Sequence, residues 1–216
     1  MKSKRKLFSY FFYDFVMITA ALPGLLFFRI KKIYVSKKAK QKIKKGALLI
    51  SNHTTNIDPI VLMFAIWYRR HHFIATKELF DRPFKKFLFT NFHCIEIDRE
   101  NMSVSSFSKI VSHLKDDKLV SMFPEGHITL TEEVQKFKSG VVLMAYQSKK
   151  PIIPVYVKKR KSFFNRQVVI IGEAINVCDL MSKIPTLKEI NKVTDILREK
   201  ESQLKEISDS LDRRKK

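Results

Sequence analysis

The sequence contains only two cysteines, and it has no internal repeat and no low-complexity linker. Cys94 and Cys178 stand far apart and form no ligand spacing, which indicates reduced thiols in a cytosolic setting. Neither cysteine has the surroundings of a metal ligand, so the sequence predicts no metal site and no bound cofactor. With 216 residues, the chain is most simply one domain with added ends, long enough to bury a substantial core.

Acidic residues are almost absent from the first part of the chain. Asp14 is the only one among residues 1–45, which contain thirteen lysines and arginines. The whole chain has a formal net charge of +21, and more than half of this excess falls in that segment. Such a charge is compatible with nucleic acid, an acidic membrane surface or a phosphorylated substrate as the partner.

The same segment carries the most apolar stretch, residues 7–30, which is rich in Phe and Tyr. Bulky apolar side chains beside lysines are typical of membrane binding, because Phe and Leu enter the acyl boundary while cations meet anionic headgroups. Asp14, the Pro23-Gly24 pair and the basic flanks favour two short helices bent at Pro23-Gly24 within one leaflet. The sequence thus predicts a peripheral or monotopic protein on the cytoplasmic face of the cell membrane. One spanning helix is the alternative, since about 20 apolar residues suffice.

The remainder of the chain alternates short apolar runs with helical patterns. This alternation predicts an α/β fold, a single domain over residues 46–180 with a central mixed sheet flanked by helices. The basic and apolar membrane-anchoring segment of residues 1–45 precedes the domain. Residues 181–216 carry apolar positions at helical spacing, which predicts an amphipathic C-terminal helix with a basic tail.

A further helix is predicted over residues 78–92. Phe84 and Phe87 lie on or near one side of it, next to Lys85 and Lys86. An aromatic stripe at this spacing is typical of a helix packed on a core, and lipid contact is the alternative.

His53 and Asp58 are the first candidate catalytic residues. The apolar run of residues 47–50 predicts a buried strand that ends just before His53, and Asp58-Pro59 has the pattern of a helix beginning. A turn between strand and helix can place the Asp58 carboxylate against one imidazole nitrogen and leave the other as a base. The alternative is that Asp58 only caps the helix and His53 is a polar loop residue.

A His-x4-Asp arrangement after a strand resembles the first signature of the glycerolipid acyltransferases, the family that includes lysophosphatidic acid acyltransferases. Three further segments are similar to that family's other blocks and follow in the expected order: Cys94-Ile95-Glu96-Ile97-Asp98-Arg99, Phe123-Pro124-Glu125-Gly126 and Pro151-Ile152-Ile153-Pro154-Val155. The resemblance implies transfer of a fatty acyl group from a thioester, either acyl-CoA or acyl carrier protein, to the hydroxyl of lysophosphatidate. The thioester would be a cosubstrate, and no other cofactor is implied.

The resemblance also implies roles for individual residues. His53 would be the general base and Asp58 its partner, Arg99 would bind the acceptor's phosphate, and Glu125 with Gly126 would shape the acceptor site. The chain departs from the family where His127-Ile128-Thr129 stand in place of Thr, Arg and Ser. Lys138 resembles a downstream family lysine and could supply the missing positive charge at a helix N-terminus.

Other functions remain open at this point. Within the same chemistry, the acceptor could be a different lysolipid, or water could replace it in a hydrolase. A membrane-surface protein without catalysis would keep the same fold. A nucleic-acid-binding protein is disfavoured, because the basic segment adjoins an apolar anchor and no RNA-stacking motif is present. The sequence makes no prediction of oligomeric state.

Overall fold

The computed structural model describes residues 2–98, 102–129, 131, 133–160, 162 and 164–213. The strands in this part are β1 (Lys31–Tyr34), β2 (Ala47–Ser51), β3 (His71–Thr76), β4 (Ile95–Ile97), β5 (Leu119–Met122), β6 (Ile152–Val157) and β7 (Val168–Ile171). The helices are α1 (Lys2–Phe28), α2 (Asp58–Ala65), α3 (Pro83–Asn91), α4 (Val104–Lys115), α5 (Gly140–Ser148) and α6 (Leu187–Arg213). Short 3₁₀ turns span Lys77–Phe80 and Val177–Asp179.

The strands form one seven-stranded sheet in the order β1-β7-β6-β2-β5-β3-β4. Neighbouring strands are parallel except β6 and β7, which pair antiparallel. The predicted α/β fold with a central mixed sheet is therefore confirmed. Parallel neighbours end at the same edge of a sheet, so the carboxyl ends of β2, β5, β3 and β4 all lie on one side.

β2 lies near the centre of the sheet and is buried along its whole length. Its side chains alternate between two cores, as the period of a strand requires. Leu48 and Ile50 pack with α4, α5 and α6, whereas Ala47 and Leu49 pack with α1 and α2. A strand covered on both faces reads as a continuous apolar run, which explains the pattern seen in the sequence.

The N-terminal segment is one helix, so the prediction of two short helices bent at Pro23-Gly24 is wrong. The helix continues past the proline, and the Arg29 N–H still donates to the Leu25 carbonyl at 2.9 Å. Gly24 serves close packing, because a Cβ at this position would overlap the Phe64 ring on α2. The stretch Phe8–Phe28 is long and apolar enough to cross a bilayer by length and composition.

Polar contacts also join α1 to the N-terminal end of β3. The hydroxyl of buried Tyr13 accepts from the His71 N–H at 3.1 Å, and Arg70 donates two hydrogen bonds to the Asp14 carboxylate. Asp14 thus pairs with a cation of the domain, which explains an acid in an apolar helix. One side of α1 therefore belongs to the core, and only its other side is available to lipid.

The predicted amphipathic helix near the C-terminus is confirmed as α6. Its apolar side covers the sheet, with Ile190, Val193 and Leu197 in the core shared with α4 and α5. The tail of residues 214–216 lies outside the described residues.

Candidate active site

His53 and Asp58 meet in the turn between β2 and α2. His53 Nδ1 donates to Asp58 Oδ2 at 3.2 Å. The same oxygen accepts from the Thr54 and Thr55 N–H groups at 2.7 and 2.8 Å, and the Thr55 hydroxyl donates to Asp58 Oδ1 at 2.6 Å. The buried carboxylate therefore holds the whole turn. It does not cap α2, because Ile57 occupies the cap position, so the alternative of a purely capping Asp58 is wrong.

The orientation of the His53 ring follows from two contacts. Because Asp58 can only accept at Nδ1, the proton of a neutral imidazole lies on Nδ1 and the lone pair lies on Nε2. The ring also stacks on Phe123, with centroids 3.9 Å apart and planes at 13°. Phe123 directly follows β5, the parallel neighbour of β2. The two strand ends together give the imidazole one fixed plane and one available basic nitrogen.

Glu125 lies beneath the His53 turn and is buried. Its carboxylate accepts from the Thr129 hydroxyl at 3.2 Å and from the Gln135 N–H at 3.4 Å. The Thr129 N–H in turn donates to the His53 carbonyl at 2.8 Å. Burial raises the pKa of Glu125. In this geometry Glu125 ties the loop after β5 to the turn that carries the histidine.

Gly126 and Lys138 are neighbours at the same edge of the sheet. Gly126 has φ +78°, a conformation that favours glycine, and a Cβ there would lie 3.1 Å from Lys138 Cε. The Lys138 N–H donates to the Pro124 carbonyl at 3.0 Å, just before α5 begins. The structure therefore brings a lysine beside the Glu125-Gly126 turn, at the edge where His53 lies.

Arg99 lies outside the described residues. The strand before it, β4, is parallel to β3 and ends at Ile97, at the same edge as the other site residues. The role of Arg99 stays a prediction from the sequence. Within the described residues, no three His, Cys, Asp or Glu side chains are grouped closely enough to hold a metal ion.

Sequence reasoning missed Glu201 of α6, which the fold buries behind the site. The side chain is fully buried, and neither carboxyl oxygen has a hydrogen bond of standard geometry within the described residues. Burial, and secondly the charge of Glu125, raise its pKa well above the usual range, while the backbone N–H of Asn52 acts against them. A signal was present, since Glu201 lies between Leu197 and Leu204 on the apolar side of the predicted helix.

We expect Glu201→Gln to stabilise the protein in a pH-dependent way. Below the ordinary carboxyl pKa, Glu201 is protonated in both the folded and the unfolded chain. As pH rises toward the raised pKa of the folded state, Glu201 ionises only in the unfolded chain. The free energy of unfolding of the wild type therefore falls by up to about 1.4 kcal/mol per pH unit. The variant should therefore melt higher than wild type at pH 8, with a smaller difference at pH 5.

The matched control for this measurement is Glu199→Gln, an exposed position on the same helix. The control should show no such pH-dependent difference in Tm. A Glu201→Gln advantage that is equal at both pH values would mean that Glu201 is not protonated in the folded protein.

Comparison with known proteins places these residues in context. A family model described as Acyltransferase matches residues 32–158, which include both His53 and Lys138. The chain is 28% identical over 185 residues to the 1-acyl-sn-glycerol-3-phosphate acyltransferase of Bacillus subtilis, covering 83% of this chain and 90% of that protein. It is 31% identical to the probable 1-acyl-sn-glycerol-3-phosphate acyltransferase of Mycoplasma pneumoniae, over 60% of this chain and 51% of that protein.

A solved structure has the same fold. The crystal structure of the 1-acyl-sn-glycerophosphate acyltransferase from Thermotoga maritima superposes with a TM-score of 0.61, covering 96% of this chain and 98% of that one. The two sequences are 15% identical, so this likeness concerns the fold alone.

Proposed function

This chain belongs to the acyltransferase family, and we propose that it transfers a fatty acyl group from an acyl thioester to the free hydroxyl of lysophosphatidate, giving phosphatidate in phospholipid synthesis. The His53–Asp58 pair, 3.2 Å apart inside the matched region, carries the proposal. The names of the relatives support lysophosphatidate as the acceptor. The donor would be acyl-CoA or acyl carrier protein, both of which present the same thioester.

The chemistry needs a base for the hydroxyl proton and stabilisation of the charge that forms. His53 Nε2 takes the proton of the acceptor hydroxyl while the hydroxyl oxygen attacks the thioester carbonyl. Asp58 stabilises the resulting imidazolium, as a carboxylate on Nδ1 does in other acyl transfers. The tetrahedral intermediate then expels the thiolate, which recovers the proton from the imidazolium. The products are the ester and a free thiol.

Direct attack is simpler than a route through an acylated cysteine. Cys94 lies just before β4, at the opposite edge of the sheet from His53, and burial raises the pKa of its thiol to about 12. A thiol in that state supplies almost no thiolate at neutral pH.

The direct test combines purified protein, fatty-acyl thioesters and a panel of lysolipids. The proposal expects free thiol and diacyl product to appear together, with lysophosphatidate as the preferred acceptor. Thiol with free fatty acid and no lipid product would indicate a hydrolase. Transfer to a different lysolipid would keep the reaction and replace the acceptor, and the absence of thiol release would indicate a binding protein.

Phosphate binding gives a sharper prediction for Lys138. If its ammonium binds the acceptor's phosphate, Lys138→Ala removes a charge-assisted contact worth roughly 1.5–3 kcal/mol, so the KM for lysophosphatidate should rise about 10- to 100-fold. The KM for the thioester should change little. Arg99→Ala should behave in the same way if Arg99 completes the phosphate site.

Lys136→Ala is the matched control, because Lys136 is exposed and lies two residues away. It should leave both KM values near those of wild type. An unchanged lysophosphatidate KM in Lys138→Ala would exclude that residue as a phosphate ligand. A lysophospholipid with a larger headgroup, measured in parallel, shows whether the effect is specific to the terminal phosphate.

Membrane association on the cytoplasmic face is the proposed location, with the outer side of α1 as the anchor. This side exposes a row of large apolar side chains: Phe8, Phe11, Phe15, Ile18, Leu22, Leu25 and Leu26. Their insertion, together with the basic residues on both sides of the apolar stretch Phe8–Phe28, fits a peripheral or monotopic protein on an anionic leaflet.

The anchor is best tested by substitutions on the outer side of α1, because the rest of residues 1–45 contributes to the folded domain. Deleting residues 1–45 would remove β1 and uncover the core that α1 closes with Tyr13 and Phe28. Serine substitutions at Phe11, Ile18 and Leu22 remove only the outer side. We expect the triple variant to fold and to lose most of its binding to anionic vesicles in a flotation assay. Binding equal to wild type in a folded variant would contradict the anchor.

A further inference from the structure

α3 has an unusual distribution of apolar side chains. It is the crossover helix between the parallel strands β3 and β4, a position in which the apolar side normally faces the sheet. Yet Asn91 is its only buried residue, and the rings of Phe84 and Phe87 are 75% and 48% exposed. The prediction of an aromatic stripe packed on the core is therefore wrong for these two rings. Large exposed rings in one place mark a surface that meets an apolar partner.

The charges on and beside α3 are mainly positive. Arg82, Lys85 and Lys86 are exposed beside Phe84 and Phe87, and residues 82–91 contain no acid, whereas the exposed acids Glu78 and Asp81 lie just before them. Aromatic rings that alternate with cations match the interface of an anionic bilayer, where the rings enter the acyl boundary and the cations remain among the headgroups. A protein partner with an apolar groove would not by itself require the lysines.

The exposed rings of α3 continue the outer side of α1. Phe12 of α1 meets Phe87 edge to face, with centroids 5.5 Å apart. Trp67, just after α2, is 69% exposed in the same layer of helices. The opposite layer is different, since α6 presents charged side chains to solvent at Lys188, Lys192, Asp195 and Glu199. The outer side of α6 is thus mainly charged, whereas the exposed apolar side chains Ile184 and Leu187 are confined to its beginning.

We propose that α3 is a second membrane-contact element, and that the surface of α1, α2 and α3 lies on an anionic bilayer. This inference rests on the membrane association proposed above and adds an orientation to it. In this orientation, Ile57 and Ile60, both exposed on either side of Asp58, lie at the active-site end of the bilayer surface. A lysolipid can then reach His53 from the leaflet without passing through water.

The first test compares vesicle partitioning of two matched double variants. Phe84→Ser/Phe87→Ser removes two exposed rings of α3, whereas Ile184→Ser/Leu187→Ser removes two even more exposed apolar side chains, one just before α6 and one at its first residue. On vesicles of phosphatidylcholine with phosphatidylglycerol, the α3 variant should bind about tenfold more weakly or worse. The α6 variant should bind like wild type. Equal binding by both variants would overturn the proposal.

The second test uses the single tryptophan of the chain as a reporter. Trp67 should show a blue-shifted emission on vesicles and quenching by brominated acyl chains. In a Trp67→Phe/Phe84→Trp variant, the reporter lies on α3, and the same quenching is expected there. Quenching of Trp67 without quenching from position 84 would overturn the role of α3.

Activity with acceptor dispersed in detergent separates this inference from the proposed function. The α3 variant should keep wild-type kcat there, because Phe84 and Phe87 are not among the residues that hold His53 and Asp58 in place. If the wild type is inactive in this assay, the proposed function is refuted and the proposed membrane surface is unaffected.

A second copy of the chain is the alternative partner for the exposed surface of α3. If the α3 variant changes the mass measured by light scattering without vesicles, while vesicle binding is unaffected, α3 is a subunit interface and the proposal fails.

Discussion

His53→Ala is expected to lower kcat for acyl transfer by about 10²- to 10⁴-fold, the loss that follows removal of a general base. The His53 side chain makes few contacts that this substitution would disturb. His53 is in a turn, its side chain is partly exposed, and its contacts are the Asp58 carboxylate and the Phe123 ring. The KM values and vesicle binding should change little, because substrate contacts and the α1 surface remain. Thiol release with lysophosphatidate measures the effect.

His127→Ala is the matched control for His53→Ala. His127 lies two residues after Glu125, at the same edge of the sheet, and its Nδ1 is 3.0 Å from the Glu125 carbonyl. Among the residues that the structure describes, His127 has no carboxylate partner of the kind that Asp58 gives His53, so its loss should cost little activity. Comparable turnover in a folded His53→Ala protein would remove His53 as the base. A severe loss in His127→Ala with an active His53→Ala would assign the base to His127.

The part of the site that the sequence predicts well is the part built from local chain geometry. β2 is a buried strand followed by a short turn and a helix, and His53 and Asp58 fall within that one unit. Nothing distant is needed to bring them together. Glu125 and Lys138 followed only from the resemblance to the family's motifs, and the parallel pairing of β5 with β2 explains why they lie near this turn.

The errors arise where distant residues decide the outcome. Pro23-Gly24 is a helix-breaking pair by local propensity, yet Gly24 is needed because Phe64 packs against it. β1 was not predicted, since its lysines hide the strand pattern. As an edge strand paired only with β7, it can carry Lys31 and Lys32 without burying them. The stripe on α3 has the spacing of a core helix, and its exposure appears only when neighbouring elements are placed.

Glu201 is a further case in which residues distant in the sequence decide the outcome, here beside the site. The sequence shows that Glu201 lies on the apolar side of α6, and this position predicts a buried acid. Its neighbours Asn52 and Glu125 come from two other parts of the chain, so the sequence alone does not connect it with the His53 turn.

Asp58→Asn is expected to reduce both activity and stability. The carboxylate accepts from four donors: His53 Nδ1, the Thr54 and Thr55 N–H groups and the Thr55 hydroxyl. An asparagine amide offers one accepting oxygen and points an NH₂ group at donors that need an acceptor. If Oδ1 keeps the backbone N–H groups, the imidazole loses its charged partner, and kcat should fall by about 10²- to 10⁴-fold. The unsatisfied donors should lower the free energy of unfolding by about 1–3 kcal/mol.

Thr55→Ala separates the two effects. This change removes the hydroxyl that donates to Asp58 Oδ1 and leaves the Asp58 Oδ2 contact with His53 in place. It should therefore lower Tm while keeping most of the activity, when both variants are assayed well below their melting temperatures. Asp58→Asn should lose far more turnover than Thr55→Ala for a similar loss of Tm. If instead their activities fall in proportion to their stabilities, Asp58 acts by holding the turn together, and stabilisation of the His53 imidazolium by its charge is ruled out as the main effect.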